Sequence, residues 1–278
     1  MIFSHEVERI IRDYGWRPSL RVLDDRLLDV LDGNRPSSSY SDDQSRALSS
    51  QAESSWWYTT RNNIIFRAIH DIGITETLWD IGSGAGEVSV FLAQKGFKVV
   101  CLEPSLAGAS ISAARGISSI VGDLSVLRLP DNCIAHVGMF DVLEHVENRE
   151  DFLRNVFRVM KPGGTVFVTV PALKSLWGQL DVEAGHYVRY SRNAIRRELI
   201  SIGFECVSAR YFFFSLVLPL VLLRAIPFRL GLSQPISDGS LLRQDGGRLS
   251  KLLTKFEVHL AKYFPLGSSI LVVAKKPY

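Results

Sequence analysis

The pattern of apolar and polar positions changes near residue 56. Beyond it, short and nearly uninterrupted apolar runs alternate with amphipathic stretches, the first of them a predicted helix at 60–72. The apolar runs that predict strands are TLWDI, KVVCLEP, SSIVGD, IAHVGMF, TVFVTVP, ECVSARYFFF and SSILVVAKK. Strands that alternate with helices need crossover connections, which place helices on both faces of a parallel sheet. We therefore expect an α/β fold with a seven-stranded, mostly parallel, doubly wound sheet.

The N-terminal region has another pattern. Apolar positions at helical spacing, among them Val7, Ile10, Val22, Leu27 and Val30, predict helices in residues 1–31. Residues 32–55 are rich in Ser, Asp and Pro, which is typical of a linker. We expect residues 1–55 to form a helical extension with a Ser-rich linker, ahead of a core at 56–210 that the strand at 268–276 completes.

Residues 211–267 separate the sixth and seventh predicted strands. They begin with an apolar run from Tyr211 to Leu223 that is too short to span a bilayer. The amphipathic stretch KLLTKFEVHLAKYF follows, and the chain from Arg224 onward has nine Lys and Arg against three Asp and Glu. This pattern predicts an inserted cap that contacts an anionic partner such as a membrane surface. A plain extension of the core, or a dimer interface, is the alternative.

Composition adds a few limits. Hydrophobic residues make up 46% and charged residues 22%, which is ordinary for a globular protein. The three cysteines are widely spaced without a zinc pattern, which predicts reduced core cysteines. The first residues, MIFSHEVERI, lack the basic and apolar regions of a signal peptide. We expect a cytoplasmic protein, with peripheral contact to the inner face of a membrane through residues 211–264.

Three glycines at every second position follow the first strand of the core, in WDIGSGAGEV. Glycine lets a ligand approach the backbone closely, and the helix that follows presents free N–H groups. Glu87 stands where the dinucleotide-binding fingerprint has its third glycine. Glu103 ends the second strand, where a carboxylate can accept hydrogen bonds from two ribose hydroxyls. These residues indicate a nucleoside site on a parallel sheet.

Five motifs in this order resemble those of the class I S-adenosylmethionine-dependent methyltransferases, which have a Rossmann-like fold. They are WDIGSGAGE, Glu103 after the second strand, VGDL after the third, FDVLEHV after the fourth and RVMKPGG before the fifth. The resemblance covers residues 56–210. It implies S-adenosyl-L-methionine as the cofactor and direct displacement at its sulfonium methyl by an acceptor oxygen, nitrogen or carbon.

The resemblance also implies roles for single residues. Asp80 would orient the glycine loop and the amino group of the cofactor. Glu103 would hold the ribose, Asp123 the adenine amino group, and Leu124 would pack on the adenine. The other implied cofactor contacts are Gly82, Ser83, Gly84, Gly86, Pro104, Phe140 and Asp141.

The stretch ESSWWYTTRNNII resembles a finer pattern found in a subset of this family, just before the first strand. It implies that Arg61 binds the cofactor carboxylate as a bidentate fork and that Trp57 and Tyr58 close over the cofactor. In the alternative, the aromatic residues only pack the N-terminal region on the sheet and Arg61 is solvated.

The stretch after the fifth strand, VPALKSLWGQLDVEAGHYVRYS, falls where this fold forms the rim of its active site. Asp181, His186, Tyr187 and Tyr190 are therefore predicted to lie beside the acceptor. A similar stretch occurs in methyltransferases associated with cell-envelope polysaccharides. We expect His186 or His145 to act as a general base, since an imidazole titrates near neutral pH. A purely structural histidine is the alternative.

The residues Asp141, Glu144 and His145 share one face of a helical turn and, with His186, offer two oxygen and two nitrogen ligands. Some methyltransferases hold a divalent metal at such a site. Many others have the LEHV motif without a metal. We expect no metal here.

The sequence thus predicts a methyltransferase with a small-molecule acceptor, of glycan, lipid-linked or other amphiphilic type. We expect no nucleic-acid partner, because the chain has no Asn-Pro-Pro-Tyr-like element after the fourth strand. Two alternatives stay open. A nicotinamide-dependent oxidoreductase is disfavoured by Glu87, and a non-catalytic cofactor-binding protein is disfavoured because every cofactor-side motif is present.

Overall fold

Nine strands form one mixed sheet in a computed structural model that describes residues 5–16, 20–30, 55–232, 254–259 and 264–278. Their order across the sheet begins with a pair from the N-terminal region and ends with an antiparallel pair. The strands are β1 (Leu20–Asp24), β2 (Leu27–Val30), β3 (Leu78–Ile81), β4 (Val99–Glu103), β5 (Ser118–Val121), β6 (Ile134–Phe140), β7 (Met160–Pro171), β8 (Glu205–Phe212) and β9 (Ser269–Lys275). The order is β1-β2-β5-β4-β3-β6-β7-β9-β8.

Helices join the central strands, so the predicted alternation of strands and helices is confirmed. The pairs β5–β4, β4–β3, β3–β6 and β6–β7 are all parallel. The helices are α1 (His5–Tyr14), α2 (Trp56–Ile72), α3 (Glu87–Gln94), α4 (Leu106–Ala114), α5 (Leu124–Leu127), α6 (Arg149–Val159), α7 (Gln179–Glu183), α8 (Arg192–Ile202), α9 (Val217–Leu220) and α10 (Ile226–Arg229).

The direction in which strands are added reverses between β3 and β6. From β3 the chain proceeds to β4 and β5 on one side, and then returns to add β6 and β7 on the other. In open parallel sheets a crevice forms at this switch point, beyond the carboxyl ends of the strands. The glycine loop after β3 therefore lies at the point where such a fold binds its ligand.

The N-terminal region differs from the prediction. Residues 5–14 are helical as expected, but residues 20–30 form a β-hairpin, so the predicted helix across Val22–Val30 is wrong. The reason is tertiary, because β2 pairs in parallel with the edge strand β5 and buries Leu27 and Leu28. The hairpin brings the sheet to nine strands among the described residues, rather than seven. The predicted linker, apart from Ser55, lies outside the described residues.

The central strands β3 to β7 and the strand β9 are mostly buried on both faces, as their apolar sequences predict, whereas β1 and most of β8 at the edges are exposed or half-buried. All four residues of β3 are buried, and Trp79 is fully enclosed. Helix α2 covers one face, where Ile65 and Ile69 pack in a cluster with Leu78 and Val88. This burial fixes the carboxyl end of β3, and with it the start of the glycine loop.

Side-chain caps begin several helices. Ser191 accepts a hydrogen bond from the backbone N–H of Ala194 and so caps α8. Asp123 caps α5 through hydrogen bonds that its carboxylate accepts from the N–H groups of Ser125 and Val126. Such caps satisfy N–H groups that a helix leaves unbonded at its start.

The described part of the predicted insertion begins with short helical turns. Residues 214–229 pass through a 3₁₀ turn, α9, a π turn and α10, and Pro219 and Pro227 prevent a continuous α-helix. Residues 254–259 of the predicted amphipathic helix are helical, and the rest of that helix lies outside the described residues. No helix in the described ranges is long and apolar enough to cross a membrane. The division of the chain at 56, 211 and 268 stays a prediction.

Candidate active site

The loop between β3 and α3 contains Gly82, Gly84 and Gly86, all with positive φ (72°, 56° and 77°). L-residues other than glycine are strained in this region. The three positions differ in their surroundings. A β-carbon at Gly86 would lie 2.6 Å from the Cβ of Ser112, whereas at Gly84 it would meet no atom within 4 Å. Gly86 thus serves the packing of the loop on α4, and Gly84 faces open space.

Asp80 lies buried beneath this loop. Its Oδ2 accepts a hydrogen bond from Ser89 Oγ at 2.6 Å, and its Oδ1 has no hydrogen-bond partner among the described residues. Burial raises the pKa of Asp80 to about 6. A buried carboxylate with one unsatisfied oxygen is suited to a donor group on a ligand.

Glu103 connects the glycine loop to the turn after β4. Its Oε2 accepts a hydrogen bond from the N–H of Gly84 at 2.7 Å, and its Oε1 accepts one from the N–H of Ser105 at 2.8 Å. Burial raises the pKa of Glu103, and these two backbone hydrogen bonds act against that rise. Each oxygen keeps a second acceptor site, so the carboxylate can also receive the hydroxyls of a ribose.

The residues predicted around the nucleoside follow β4 and β5. Pro104 directly follows Glu103 at the end of β4, and Asp123 is partly buried in its capping position. Leu124 is buried and packs with the main core. Ser83 is half-buried in the glycine loop. These residues follow the carboxyl ends of β3, β4 and β5, and their contacts with the cofactor stay predictions.

Arg61 is buried on α2 and is not solvated. Its Nη1 donates a hydrogen bond to Asp141 Oδ2 at 2.8 Å, and its Nε has no partner among the described residues. The guanidinium lies 4.9 Å from the ring centroid of Trp57 and 5.6 Å from that of Tyr58. The aromatic pair and the arginine of the sequence motif therefore form one contiguous group.

The two residues at the end of β6 point in different directions. The ring of Phe140 is buried in the cluster that also contains Ile65 and Val88. Asp141 has a φ of 60°, a strained value for a residue with a side chain, and its carboxylate is directed to Arg61. The side chain of Phe140 therefore packs beneath α2, whereas the side chain of Asp141 meets Arg61 at the edge of the sheet.

The segment after β7 forms a polar rim around Asp181. Asp181 Oδ1 lies 2.8 Å from His186 Nδ1 and accepts a hydrogen bond from Arg189 Nε at 2.7 Å, and its Oδ2 accepts one from the N–H of Gly178. Burial opposes ionisation of Asp181, but the hydrogen bonds from His186 and Arg189 outweigh it and lower the pKa. The carboxylate therefore orients the imidazole of His186.

A second histidine lies beside the first. The ring centroids of His145 and His186 are 4.7 Å apart in an edge-to-face arrangement. Burial, followed by the proximity of His186, lowers the pKa of His145 to about 4. His145 is therefore neutral near pH 7 and is a weak base, which leaves His186 as the better candidate for proton transfer.

The two tyrosines that the sequence places on the rim differ in exposure. Tyr187 is exposed, and its backbone N–H donates to the carbonyl of Glu144 at 2.7 Å, which connects the rim to the turn after β6. Tyr190 is only 3% exposed and packs in the core. The backbone of Tyr190 forms a parallel bridge with Ala172, and its position beside the acceptor stays a prediction.

Sequence reasoning missed three polar residues that hold the site together. The hydroxyl of Ser89 and the backbone N–H of Ser105 position Asp80 and Glu103, and Arg189 anchors Asp181. Ser89 and Ser105 lie nine and two residues after the carboxylates that they contact. A serine in the sequence carries no signal of such pairing, because the contact depends on how the helices and turns pack.

The comparisons with known proteins agree on one family. A family model described as a methyltransferase domain matches residues 41–209, more than half of the chain. A Mycolicibacterium smegmatis protein named "Probable S-adenosylmethionine-dependent methyltransferase" is 28% identical over 128 residues, which cover 45% of this chain and 49% of that protein. The ubiquinone biosynthesis O-methyltransferase of Pseudomonas aeruginosa is 28% identical over 134 residues, 41% of this chain and 56% of that protein. The chain thus spans about half the length of the curated relatives it matches.

A solved structure shows the same fold. Phosphoethanolamine N-methyltransferase 2 of Haemonchus contortus, in complex with phosphomonomethylethanolamine and S-adenosylhomocysteine, aligns with a TM-score of 0.55 at 16% identity. The alignment covers 86% of this chain and 58% of that chain. The motifs, the sheet order and the family match agree, and they leave no support for a nicotinamide-dependent oxidoreductase. The chain belongs to the class I S-adenosylmethionine-dependent methyltransferases, through their methyltransferase domain.

Proposed function

We propose that this chain transfers a methyl group from S-adenosylmethionine to an oxygen of an amphiphilic acceptor that binds beside His186. One observation carries the proposal. The Glu103 carboxylate and the Asp181–His186 pair both follow carboxyl ends of the same parallel sheet. The first offers acceptors for ribose hydroxyls, and the second offers an oriented imidazole for the acceptor.

On the cofactor side, two buried groups complement the methionine moiety. Asp80 Oδ1 is an acceptor without a partner among the described residues, and Arg61 Nε is a donor without one. Leaving such groups unsatisfied costs about 1–3 kcal/mol each, so a ligand with an amino group and a carboxylate is favoured. We assign the remaining contacts to Glu103, Gly82, Ser83, Gly84, Gly86, Pro104, Asp123, Leu124, Phe140, Asp141 and Trp57.

The proposed reaction is an in-line displacement. A lone pair of the acceptor oxygen forms the new O–CH₃ bond while the S–CH₃ bond breaks and its electron pair returns to sulfur. The product is S-adenosylhomocysteine, and the hydroxyl proton passes to Nε2 of His186. Asp181 holds Nδ1 of the same ring, which directs Nε2 to the acceptor. Alignment of the two reactants supplies most of the rate enhancement.

The acceptor class rests on the surroundings of the rim. Arg229 of α10 donates a hydrogen bond to the carbonyl of Ser175, which attaches the apolar insertion to the segment that precedes Asp181. The exposed leucines of that insertion therefore lie near the rim. An amphiphilic compound could place its apolar part on these leucines and its hydroxyl beside His186. One relative is named as an O-methyltransferase of ubiquinone biosynthesis.

Calorimetric titration tests the cofactor side. We expect S-adenosylmethionine and S-adenosylhomocysteine to bind at micromolar concentration and NADH not to bind. Glu103→Gln removes a charged acceptor, which is worth about 1.5–3 kcal/mol, so the affinity should fall at least tenfold. Glu76→Gln is the matched control, because Glu76 is a surface carboxylate paired with Lys161. Equal affinity of the Glu103 variant and the wild type would refute the assignment.

We also propose that the insertion contacts a membrane surface. Leu218, Leu222 and Leu230 are exposed to 66%, 53% and 67%. The basic C-terminal region of the sequence favours anionic lipid. The basic residues of the insertion that we assign to this contact are Arg224, Arg229 and Lys255, which are among the described residues, and Lys251 and Lys262, which lie outside them.

Sedimentation with vesicles tests this contact. We expect the wild type to sediment with vesicles that contain phosphatidylserine and not with neutral vesicles. The double variant Leu218→Glu/Leu222→Glu should lose most of the bound fraction. The control variant Ile200→Glu, at a similarly exposed position of α8, should sediment with the vesicles to the same extent as the wild type. Equal sedimentation of both variants would contradict the proposed surface.

A further inference from the structure

Three potential ligand atoms converge beside the proposed acceptor position. The carboxylate of Glu144 and one ring nitrogen each of His145 and His186 lie within 4.8 Å of one another. We infer that this group binds one divalent transition-metal ion, of the zinc type, and that the ion binds the acceptor oxygen. Binding of the ion stands on this geometry alone, whereas its role in the reaction rests on the proposed function. This inference changes the expectation of a metal-free site.

Glu144 is the first observation that points to a cation. Its side chain is only 1% exposed, and its Oε2 has no hydrogen-bond partner among the described residues. Burying a carboxylate without a counter-charge is costly, so such groups are normally paired or coordinate a metal. The two arginines that act electrostatically on Glu144, Arg61 and Arg189, are already bonded to Asp141 and Asp181. A bound cation would compensate the buried charge of Glu144.

The partners of the two histidines are the second observation. His186 Nδ1 is held by Asp181, and Asp181 is in turn fixed by Arg189 and the N–H of Gly178. A hydrogen bond to the backbone of Ala184 orients the ring of His145. In metal sites, a ligating histidine usually has its other nitrogen bonded to a carboxylate or a carbonyl, which fixes the tautomer. Both histidines have such a partner here.

The ligand set selects the type of metal. Two imidazoles and one carboxylate suit zinc and neighbouring first-row ions, whereas magnesium and calcium prefer oxygen ligands. Ligands about 2.0–2.2 Å from a tetrahedral zinc ion lie roughly 3.4 Å apart, so small side-chain rotations would close the site around the ion. Three protein ligands leave a coordination position open, as in catalytic zinc sites.

Asp141 does not belong to this group. The sequence pattern places it beside the other three residues, but its carboxylate pairs with Arg61 and is not among the converging ligand atoms. This pairing leaves the open position without a protein ligand. An acceptor hydroxyl that enters it would bind the cation, which lowers the pKa of the hydroxyl.

The ion would change the route of the proton. With the metal bound, His186 Nε2 is a ligand, the acceptor proton leaves to solvent water, and the oxygen lone pair then forms the O–CH₃ bond as the C–S bond breaks. Without the metal, Nε2 takes the proton directly. The two roles of His186 are distinguished by whether the protein binds the ion.

Titration of the metal-stripped full chain with Zn²⁺ tests the inference. We expect one ion per chain with micromolar or tighter affinity, and a visible absorption spectrum when Co²⁺ replaces Zn²⁺. Glu144→Gln and His186→Ala should each weaken Zn²⁺ binding at least tenfold. Asp181→Asn should weaken it about tenfold, because it removes the partner that orients His186. Mg²⁺ should bind at least a hundredfold more weakly than Zn²⁺.

Matched controls come from exposed residues. His70→Ala and Glu150→Gln remove the same side-chain types on the surface and should leave Zn²⁺ affinity unchanged. Circular dichroism of each variant establishes that it is folded. Wild-type affinity in both Glu144→Gln and His186→Ala would overturn the inference, as would the absence of stoichiometric Zn²⁺ or Co²⁺ binding. Tighter binding of Mg²⁺ would overturn the assigned metal class.

Titration of the same metal-free protein with S-adenosylmethionine separates the two proposals. If the cofactor binds and Zn²⁺ does not, the metal inference fails while the proposed function stands with His186 as the base. If Zn²⁺ binds in the predicted manner and the cofactor does not, the proposed function fails and the metal site stands.

Discussion

At the scale of single residues, Asp80 shows how a ligand site can reduce stability. Its carboxylate is fully buried, one oxygen has no partner among the described residues, and burial raises the pKa from 3.8 to about 6. The ionised form therefore costs the native state on the order of 3 kcal/mol relative to the unfolded chain. The unfolded chain loses its proton first, so this cost develops as pH rises from about 4 to about 6 and is complete above it.

Asp80→Asn should remove this cost. Denaturant unfolding at pH 8 should show a more stable variant, and the gain should fall to about half at pH 5, where wild-type Asp80 is largely protonated. The affinity for S-adenosylmethionine should drop about tenfold, because the charged acceptor is lost. A variant that is no more stable than the wild type at pH 8 would contradict the cost assigned to the buried carboxylate.

Two glycines of the same loop should respond differently to alanine. Both have positive φ, so each substitution costs about 1–2 kcal/mol in backbone strain. Gly86→Ala adds a clash with Ser112, and its total loss in unfolding free energy should exceed that of Gly84→Ala by at least about 1 kcal/mol. Gly84→Ala instead adds a methyl group to the proposed ligand space. It should reduce the free energy of cofactor binding by more than it reduces the free energy of unfolding. Equal losses of stability in the two variants would contradict the assigned packing role of Gly86.

At the scale of elements, the N-terminal hairpin shows why local pattern and final structure differ. Apolar residues between Val22 and Val30 fit helical spacing, but the same segment can also form a strand that pairs with the edge of the sheet. In the structure, β2 extends the sheet beyond β5, with Leu28 in the main core and Leu23 exposed. Pairing satisfies the backbone groups of β5 that would otherwise form an open edge.

The two leucines of this hairpin allow a matched comparison. Leu28→Ala should lower the free energy of unfolding by about 2–4 kcal/mol, because it leaves a cavity in the core. Leu23→Ala, at a position that is 40% exposed, should change it by less than about 0.5 kcal/mol. Denaturant unfolding of both variants measures the difference. Similar values for the two would mean that the hairpin does not pack as described.

At the scale of the whole molecule, the cofactor should stabilise the protein. The proposed contacts come from α2 and from the loops after β3, β4, β5 and β6, so the ligand connects elements that are far apart in sequence. At a concentration about one hundred times its dissociation constant, a ligand adds about 2.7 kcal/mol to the folded state. Thermal unfolding should shift upward by roughly 5 °C or more with S-adenosylmethionine or S-adenosylhomocysteine. A shift of the same size with NADH would contradict the assigned specificity.

The glycine loop and the apolar strands could be predicted because their signals are local. Gly82, Gly84 and Gly86 stand directly between a buried strand and a helix, and a carboxylate ends the next strand at Glu103. Burial on both faces requires nearly uninterrupted apolar strands, and the crossovers require helices between them. These requirements act on neighbouring residues, so the sequence alone determined the α/β class, the family and the cofactor edge of the sheet.

Only the tertiary structure decided how distant side chains combine. Arg61 meets Asp141 and His145 meets His186 across long stretches of chain, and Tyr190 is buried in the core although its neighbour Tyr187 is exposed. The N-terminal hairpin likewise depends on the edge of β5. Such contacts leave no periodic pattern, because their free energy comes from burial and charge pairing that exist only once the sheet has formed.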